Sequence, residues 1–201
     1  MNPASCRRAI PSRRGASRRR RTLAGFTEGK NLERIADSLA LQGWMVVDDF
    51  LEPGLTAALL GECRASKERG EFHDAAVGGG TSRRTRPQIR SDEILWMQQP
   101  GSSDAQRDCL ERFERLRLLL NRTLQLGLLD FESHFACYPR GAFYTRHTDQ
   151  LRGDDHRKLS CVLYLNENWI AEEGGELRVY LDGDGAEFQD VLPQAAGWWF
   201  F

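Results

Sequence analysis

The sequence predicts an α+β domain in which helices pack on one side of a sheet. Three observations predict this class. Apolar residues repeat at helical spacing between residues 31 and 128, and short runs of strand-forming residues follow after about residue 130. A chain of 201 residues with 40% hydrophobic and 28% charged residues has the size and composition of one globular domain. Because helices come first and strands afterwards, we expect the two kinds of element to segregate.

Three helices are predicted. The first lies within residues 31–44, where apolar residues recur at helical spacing until Gly43 ends the pattern. The second begins at Pro53, a residue favoured in a first helical turn, and ends at Gly70. The third covers residues 104–128 and carries leucines along one side. Together these segments supply the helical half of the domain.

Six short runs predict strands. The first, WMVVDDF, lies between the first two helices at residues 44–50. The other five follow one another at short intervals, with turn residues between them, at 131–139, 158–166, 174–181, 186–193 and 197–201. The stretch LDGDGAEF begins like a calcium loop, but Pro193 stands where a glutamate ligand is needed, so we predict a hairpin turn there. Residues 77–93 show no periodicity and are predicted to form one long polar loop, a candidate lid.

Positive charge is concentrated at one end of the chain. Residues 1–27 contain eight arginines and no acidic residue, so they are predicted to be a disordered tail, and residues 28–201 carry a formal charge of −9. An acidic body does not favour a nucleic-acid partner. No apolar run approaches the 18 residues typical of a membrane span. Five scattered cysteines, an odd number without a CxxC pair, predict reduced thiols and a cytoplasmic location.

The chemistry of greatest interest lies in YPRGAFYTRHTDQ, residues 138–150. His147 and Asp149 stand two positions apart just after a predicted strand, a spacing that can aim both side chains the same way. An imidazole and a carboxylate are two of the three protein ligands of a non-haem Fe(II) site. The pair alone is a weak signal, since a histidine and an aspartate also occur together at the edge of many sheets.

The order of several segments makes the signal more specific. FACYPRGAFYTRHTDQ is followed by RKLSCVLYLNENW and GGELRVY, and it is preceded by GWMVVDDFL and RPQIRSDEILWM. Together they resemble the 2-oxoglutarate and iron(II)-dependent oxygenases of the prolyl 4-hydroxylase type, closest to the bacterial and hypoxia-sensing branch. The resemblance covers residues 28–201 and implies a double-stranded β-helix, or jelly roll, with the N-terminal helices packed on one sheet. It also implies Fe(II), 2-oxoglutarate and ascorbate as cofactors, and a prolyl residue of a protein or peptide as the substrate.

The same resemblance assigns roles to individual residues. The two implied iron ligands are His147 and Asp149. The residues implied to bind 2-oxoglutarate are Tyr138, Tyr144, Tyr164 and Leu177, of which Tyr164 would hydrogen-bond the distal carboxylate. The residues implied to lie near the entrance for the peptide substrate are Arg90, Asp92 and Arg157. Packing in the core is the alternative for the tyrosines and the leucine, and a solvated charge is the alternative for the arginines.

The sequence also departs from the family pattern. In the family, a third iron ligand, a histidine, follows the strand that GWWFF resembles, and a basic residue for 2-oxoglutarate follows that histidine. The given sequence ends at Phe201, before both positions, so we expect the last strands to be missing. This leaves two hypotheses: part of an active dioxygenase, or a catalytically inactive remnant or peptide-binding module of the same fold. His134, on the same predicted strand face as Tyr138, is a candidate substitute ligand.

Overall fold

The structure is a computed structural model that describes most of the chain. The described residues are 28–48, 50–78, 84–97, 102–150, 157–182, 184–195 and 197–200, with the backbone alone described for 28–31 and 197–200. The predicted disordered tail, residues 1–27, lies outside the described residues. None of the described helices has both the length and the apolar character that a membrane crossing needs.

All three predicted helices are confirmed. The helices are α1 (Glu28–Gln42), α2 (Pro53–Glu68) and α3 (Asp104–Leu124). Helix α1 is followed directly by Gly43, whose φ of 77° is a left-handed conformation that glycine adopts without a steric penalty. Helix α3 begins at Ser103, whose hydroxyl accepts a hydrogen bond of 3.1 Å from the backbone N–H of Gln106. The local start and stop signals of the sequence therefore set the helix boundaries.

In the described part of the chain, ten strands form four small antiparallel sheets. The strands are β1 (Met45–Asp48), β2 (His73–Asp74), β3 (Ala76–Val77), β4 (Arg84–Thr85), β5 (Glu93–Trp96), β6 (His134–Cys137), β7 (Cys161–Leu163), β8 (Leu177–Tyr180), β9 (Phe188–Val191) and β10 (Gly197–Phe200). One sheet has the order β1-β10-β7, and a second has the order β2-β5-β6. The remaining pairs are β3-β4 and β8-β9. All six predicted strand runs contain a strand.

The prediction of one long loop at residues 77–93 is wrong in part. The hairpin β3-β4 lies at the start of this stretch, and Arg90 forms a bridge to Tyr144 near its end. Strand β5 then begins at Glu93 and pairs with both β2 and β6. Strands of two residues are too short to show an alternating pattern, and a bridge to a distant segment leaves no local pattern in the sequence.

The core lies between the helices and two of the sheets. Buried residues come from α1 (Ile35), β1 (Val47), α2 (Leu59), α3 (Leu120) and β6 (Phe135), and each is at most 5% exposed. Apolar residues of β7 pack against the edge of this cluster. Burying each such side chain contributes about 1.5–3 kcal/mol. The helices therefore pack beside the strands, as the α+β class predicted.

The predicted hairpin turn between β8 and β9 is confirmed. Asp182 accepts hydrogen bonds from the backbone N–H groups of Gly185 (2.5 Å) and Glu187 (2.9 Å). The carboxylate that resembled a calcium ligand in the sequence instead closes the turn by capping its backbone. The strands then pair in register from Leu177–Val191 to Tyr180–Phe188.

Candidate metal centre

Two segments that are distant in sequence pair beside the candidate site. Thr145 donates its backbone N–H to the carbonyl of Ile89, and Ser91 donates its N–H to the carbonyl of Phe143, each at 2.9 Å. Between these bonds, Arg90 and Tyr144 face each other in an antiparallel bridge. The backbone just before His147 is therefore attached to the segment leading into β5, and this attachment positions the H-x-D pair.

The ring of His147 is held through both of its nitrogens. Its Nδ1 lies 2.7 Å from the carbonyl oxygen of Thr145, and its Nε2 lies 3.2 Å from Oδ1 of Asp149. A carbonyl oxygen can only accept a hydrogen bond, so Nδ1 must carry the proton in this contact. In the neutral ring, the lone pair of Nε2 then points towards the carboxylate of Asp149.

Two acceptors that face each other need a cation between them. The pKa of His147 is raised, because hydrogen bonds to Asp149 and Thr145 outweigh the burial that alone would lower it. A shared proton satisfies the pair, and a metal ion bound by both atoms would take the place of that proton. Two metal bonds of about 2.1 Å at a right angle place their donor atoms about 3 Å apart, which the observed separation of 3.2 Å matches. The donor set therefore fits a divalent metal such as Fe(II).

The carboxylate of Asp149 is held by further contacts. Its Oδ2 accepts a hydrogen bond from the hydroxyl of Ser160, and its backbone carbonyl accepts one of 3.5 Å from Arg157. The hydrogen bond from His147 is the main cause that lowers the pKa of Asp149, and Ser160 and Arg157 lower it further against the effect of burial. The carboxylate thus stays ionised and oriented, as a metal ligand must be. Ser160 was not identified in the sequence, where a serine next to a strand gives no signal.

A stack of side chains extends from His147 to the buried Asp92. The rings of Tyr144 and His147 are stacked, with centroids 3.6 Å apart and planes 16° apart. The guanidinium carbon of Arg90 lies 4.3 Å from the centroid of the Tyr144 ring. Arg90 in turn donates two hydrogen bonds, of 2.7 Å and 2.5 Å, to the carboxylate of Asp92. Asp92 is only 1% exposed, so its carboxylate does not reach the surface. Its role at this site is to hold the guanidinium group of Arg90 in place.

The structure brings together eight of the nine predicted site residues. Tyr138 contacts Asp92, which adds to the effect of burial in raising the pKa of the tyrosine. Burial also raises the pKa of Tyr164, with a smaller contribution from nearby Tyr138. Leu177 pairs with Val191 in the hairpin β8-β9, and no described contact connects it to the others.

A third protein ligand is not found among the residues that the structure describes. Within that part of the chain, no group of three His, Cys, Asp or Glu side chains is close enough to hold one metal ion. The candidate substitute, His134, instead packs edge-on against Trp96, with ring centroids 4.9 Å apart. The candidate substitute His134 therefore belongs to no metal-ligating group among the described residues, and its neighbour across the β5-β6 pair is an aromatic ring.

Known proteins share both this sequence pattern and this fold. The 2OG-Fe(II) oxygenase superfamily matches residues 133–201, which include the H-x-D pair and the strands after it. Egl nine homolog 1 of Mus musculus is 32% identical over 177 residues, covering 81% of this chain and 41% of that protein. The chain thus spans less than half the length of this curated relative.

Two solved structures are similar over most of the chain. A crystal structure of a Pseudomonas putida prolyl-4-hydroxylase is 41% identical, has a TM-score of 0.73, and matches 85% of this chain and 86% of that one. A prolyl hydroxylase from Trichoplax adhaerens, solved with a hypoxia inducible factor peptide, is 21% identical, with a TM-score of 0.74 over 87% of this chain and 79% of that one. The second likeness shows the fold alone. The chain belongs to the 2OG-Fe(II) oxygenase superfamily, and within it to the prolyl hydroxylase type.

Proposed function

We propose that the protein is an iron(II)- and 2-oxoglutarate-dependent dioxygenase that hydroxylates a prolyl residue in a protein or peptide. The observation that carries this proposal is the pairing of His147 Nε2 with Asp149 Oδ1 at 3.2 Å, a separation that two ligand atoms of one metal ion also have. Membership of the superfamily supports Fe(II) as that cation and 2-oxoglutarate as the cosubstrate. The names of its relatives support the active enzyme over the inactive remnant.

The residues around the pair have distinct proposed tasks. When bound, Fe(II) with 2-oxoglutarate and O₂ supplies the oxidising chemistry that a C–H bond requires, and the protein supplies binding and orientation. His147 and Asp149 hold the metal. Because burial raises the pKa of Tyr164, its hydroxyl keeps its proton and can donate a hydrogen bond to the distal carboxylate of 2-oxoglutarate. Tyr138, Tyr144 and Leu177 are proposed to line the cosubstrate pocket.

We propose the double-stranded β-helix as the finer description of the fold. Two antiparallel three-stranded sheets, β1-β10-β7 and β2-β5-β6, and the hairpin β8-β9 support this description, since a jelly roll is built from antiparallel sheets. The likeness to a prolyl-4-hydroxylase structure with a TM-score of 0.73 supports this arrangement.

The proposed substrate is a peptide segment that binds over the open side of the pair. Two half-exposed aromatic side chains lie near His147 in sequence: Phe143 (45% exposed) and Tyr138 (50% exposed), whose hydroxyl end contacts the buried Asp92. Their exposed ring surfaces are favourable contacts for an extended peptide. Arg157 is exposed and touches the backbone of Asp149, so it is placed to contact a substrate at the metal. Arg90 and Asp92 are proposed to lie under the entrance for the peptide substrate and to hold its lining residues in place. The likeness to a Pseudomonas putida prolyl-4-hydroxylase, 41% identical to this chain, supports a prolyl substrate.

Ascorbate and a cytoplasmic location complete the proposal. Ascorbate is proposed as the accompanying reductant, as the family resemblance implies. The described cysteines are free thiols, and burial raises the pKa of both Cys63 and Cys109 to about 11, so these two stay protonated and unreactive. Such thiols suit a reducing compartment.

Succinate formation tests the proposed function. The 201-residue chain is incubated with Fe(II), ascorbate, 2-oxoglutarate and proline-containing peptides, and succinate and hydroxylated peptide are measured by mass spectrometry. We expect turnover that requires Fe(II) and is lost in His147→Ala. The exposed His73 of β2 provides the matched control His73→Ala, which should keep full activity. Equal peptide binding by wild type and His147→Ala, without any succinate, would contradict the enzyme and support a peptide-binding module.

A further inference from the structure

We propose that Tyr144 is a positioning residue that fixes the ring plane of His147 for metal binding, and that Arg90 and Asp92 hold Tyr144 in place. The proposal rests on the proposed function, since it concerns the same metal site. It goes beyond the roles that the family resemblance gives these residues. We call Asp92, Arg90 and Tyr144 the supporting stack.

Stacking restricts the motion that backbone and carboxylate contacts leave free. The hydrogen bond of Nδ1 to Thr145 fixes one edge of the His147 ring at 2.7 Å. That bond alone still allows the imidazole ring to rotate about the axis of the Nδ1–H···O hydrogen bond. The ring of Tyr144, stacked at 3.6 Å and nearly parallel at 16°, opposes this rotation because it would bring the two rings into collision. The Nε2 atom is thereby aimed at one point in space.

Tyr144 is itself held by the arginine across the bridge. Arg90 and Tyr144 are direct partners in the antiparallel bridge, so their side chains leave the backbone on the same side. The guanidinium carbon of Arg90 lies 4.3 Å from the ring centroid, well within the range of a cation–π contact. Such contacts are stronger where solvent is largely excluded. The Arg90 side chain is only 14% exposed, so little water competes for its charge.

The buried aspartate keeps the arginine from moving away. Two parallel hydrogen bonds join Arg90 to Asp92, whose side chain has no exposed surface. A guanidinium group that donates hydrogen bonds from two of its nitrogens to one carboxylate has little rotational freedom. The order of dependence therefore runs from Asp92 to Arg90, then to Tyr144, and finally to the metal-binding nitrogen of His147.

Metal affinity measured without turnover tests the proposal. Mn(II) replaces Fe(II), and its binding to the 201-residue chain is measured by isothermal titration calorimetry. Loss of a group that orients a metal ligand typically lowers affinity about 10- to 100-fold, and we expect about a tenfold loss for Tyr144→Leu. Tyr144→Phe keeps the stacked ring without its hydroxyl, so it should bind within about twofold of wild type. An unchanged affinity in Tyr144→Leu, or an equal loss in Tyr144→Phe, would overturn the proposal.

A matched pair elsewhere in the chain controls for general effects of losing an arginine. Arg90→Gln should weaken Mn(II) binding several-fold, since Tyr144 loses its support. Arg178 also forms a double hydrogen bond with an aspartate and lies over an aromatic ring, but it does so on the hairpin β8-β9. Arg178→Gln should leave Mn(II) affinity unchanged. If the two variants lose affinity equally, the supporting stack has no special role.

Proton NMR of the metal-free protein separates this proposal from the proposed function. A ring stacked at 3.6 Å shifts the carbon-bound protons of His147 upfield through the ring current of Tyr144. The His147 signals are identified as those missing in His147→Ala. We expect the upfield shift in wild type and Tyr144→Phe, and its loss in Tyr144→Leu. Absence of the shift in wild type would refute the stack, whereas a normal shift without any Mn(II) binding would refute the metal site alone.

Discussion

Two arginine–aspartate pairs in this protein have nearly the same local chemistry and very different surroundings. Arg90–Asp92 and Arg178–Asp190 each make two hydrogen bonds, and each guanidinium lies over an aromatic ring, at 4.3 Å and 3.9 Å. The side chains of the first pair are 14% and 0% exposed, and those of the second are 47% and 38% exposed. The comparison teaches that the structural role of an arginine–aspartate pair depends on its burial and on the segments it joins. The hydrogen bonds within the pair do not decide that role.

The connections of the two pairs differ as well. Arg178 and Asp190 are partners across the hairpin β8-β9, so their contact only reinforces a pairing that the backbone already makes. Arg90 and Asp92 lie two residues apart on one segment and reach Tyr144, which belongs to the segment that carries the metal ligands. The buried pair therefore joins distant parts of the chain, and the exposed pair does not.

The largest effect is expected for removing the buried charge of Asp92. Asp92→Asn keeps the shape of the side chain but leaves the guanidinium of Arg90 largely buried without its counter-charge. Breaking a buried ion pair in this way costs about 3 kcal/mol of unfolding free energy. Urea denaturation followed by circular dichroism measures the loss in the metal-free protein.

A double variant shows whether the uncompensated charge is the cause. Arg90→Gln with Asp92→Asn removes both charges and should recover part of the stability lost in Asp92→Asn alone. If Asp92→Asn has no larger effect than Asp190→Asn, the contrast between the two pairs is wrong.

A smaller effect is expected at the turn of the exposed hairpin. Gly185 has a φ of 78°, and a Cβ there would lie 2.6 Å from a guanidinium nitrogen of Arg146. Arg146 precedes His147 and lies over the ring of Tyr180 at 3.9 Å, so it joins the hairpin to the segment of the metal ligands. Gly185→Ala should cost about 1–2 kcal/mol of unfolding free energy because of its left-handed backbone.

Metal affinity shows whether the hairpin belongs to the metal site. Because the supporting stack does not include the hairpin, Gly185→Ala should change Mn(II) affinity by less than about twofold, against the larger loss expected for Tyr144→Leu. Gly61 of α2 has open space around the position of an added Cβ, so Gly61→Ala is the matched control and should be neutral or slightly stabilising. A tenfold loss of Mn(II) affinity in Gly185→Ala would place the hairpin within the site.

The sequence predicted the helices and the long strands because their patterns are local. Spacing of apolar residues, the proline at the start of α2 and the glycine after α1 all act within a few residues. The two metal ligands were identified for the same reason, since they lie two positions apart. The bridge between Arg90 and Tyr144 joins residues far apart in the chain, and no local pattern reveals it.

Burial separated residues that the sequence had grouped together. Arg90 and Asp92 were both predicted near the substrate entrance, but Asp92 is only 1% exposed, and a charged residue in a polar segment does not indicate such burial. Ser160 was missed for a similar reason, because its contact to Asp149 depends on how β7 approaches the metal ligands. The resemblance to a family located the site, and the tertiary structure showed how the site is held.

The smallest effect is expected for the exposed pair. Asp190→Asn should leave the urea midpoint close to that of wild type, because water and counter-ions replace the lost contact. Salt provides the sharper comparison, since raising ionic strength from about 0.1 M to 1 M shortens the screening length from about 10 Å to 3 Å. Any difference between Asp190→Asn and wild type should vanish in high salt, whereas the loss in Asp92→Asn should persist because solvent ions do not reach a buried charge. A salt response of the same size in both variants would show that the two pairs sit in equivalent environments, and the assignment of separate roles to them would then be wrong.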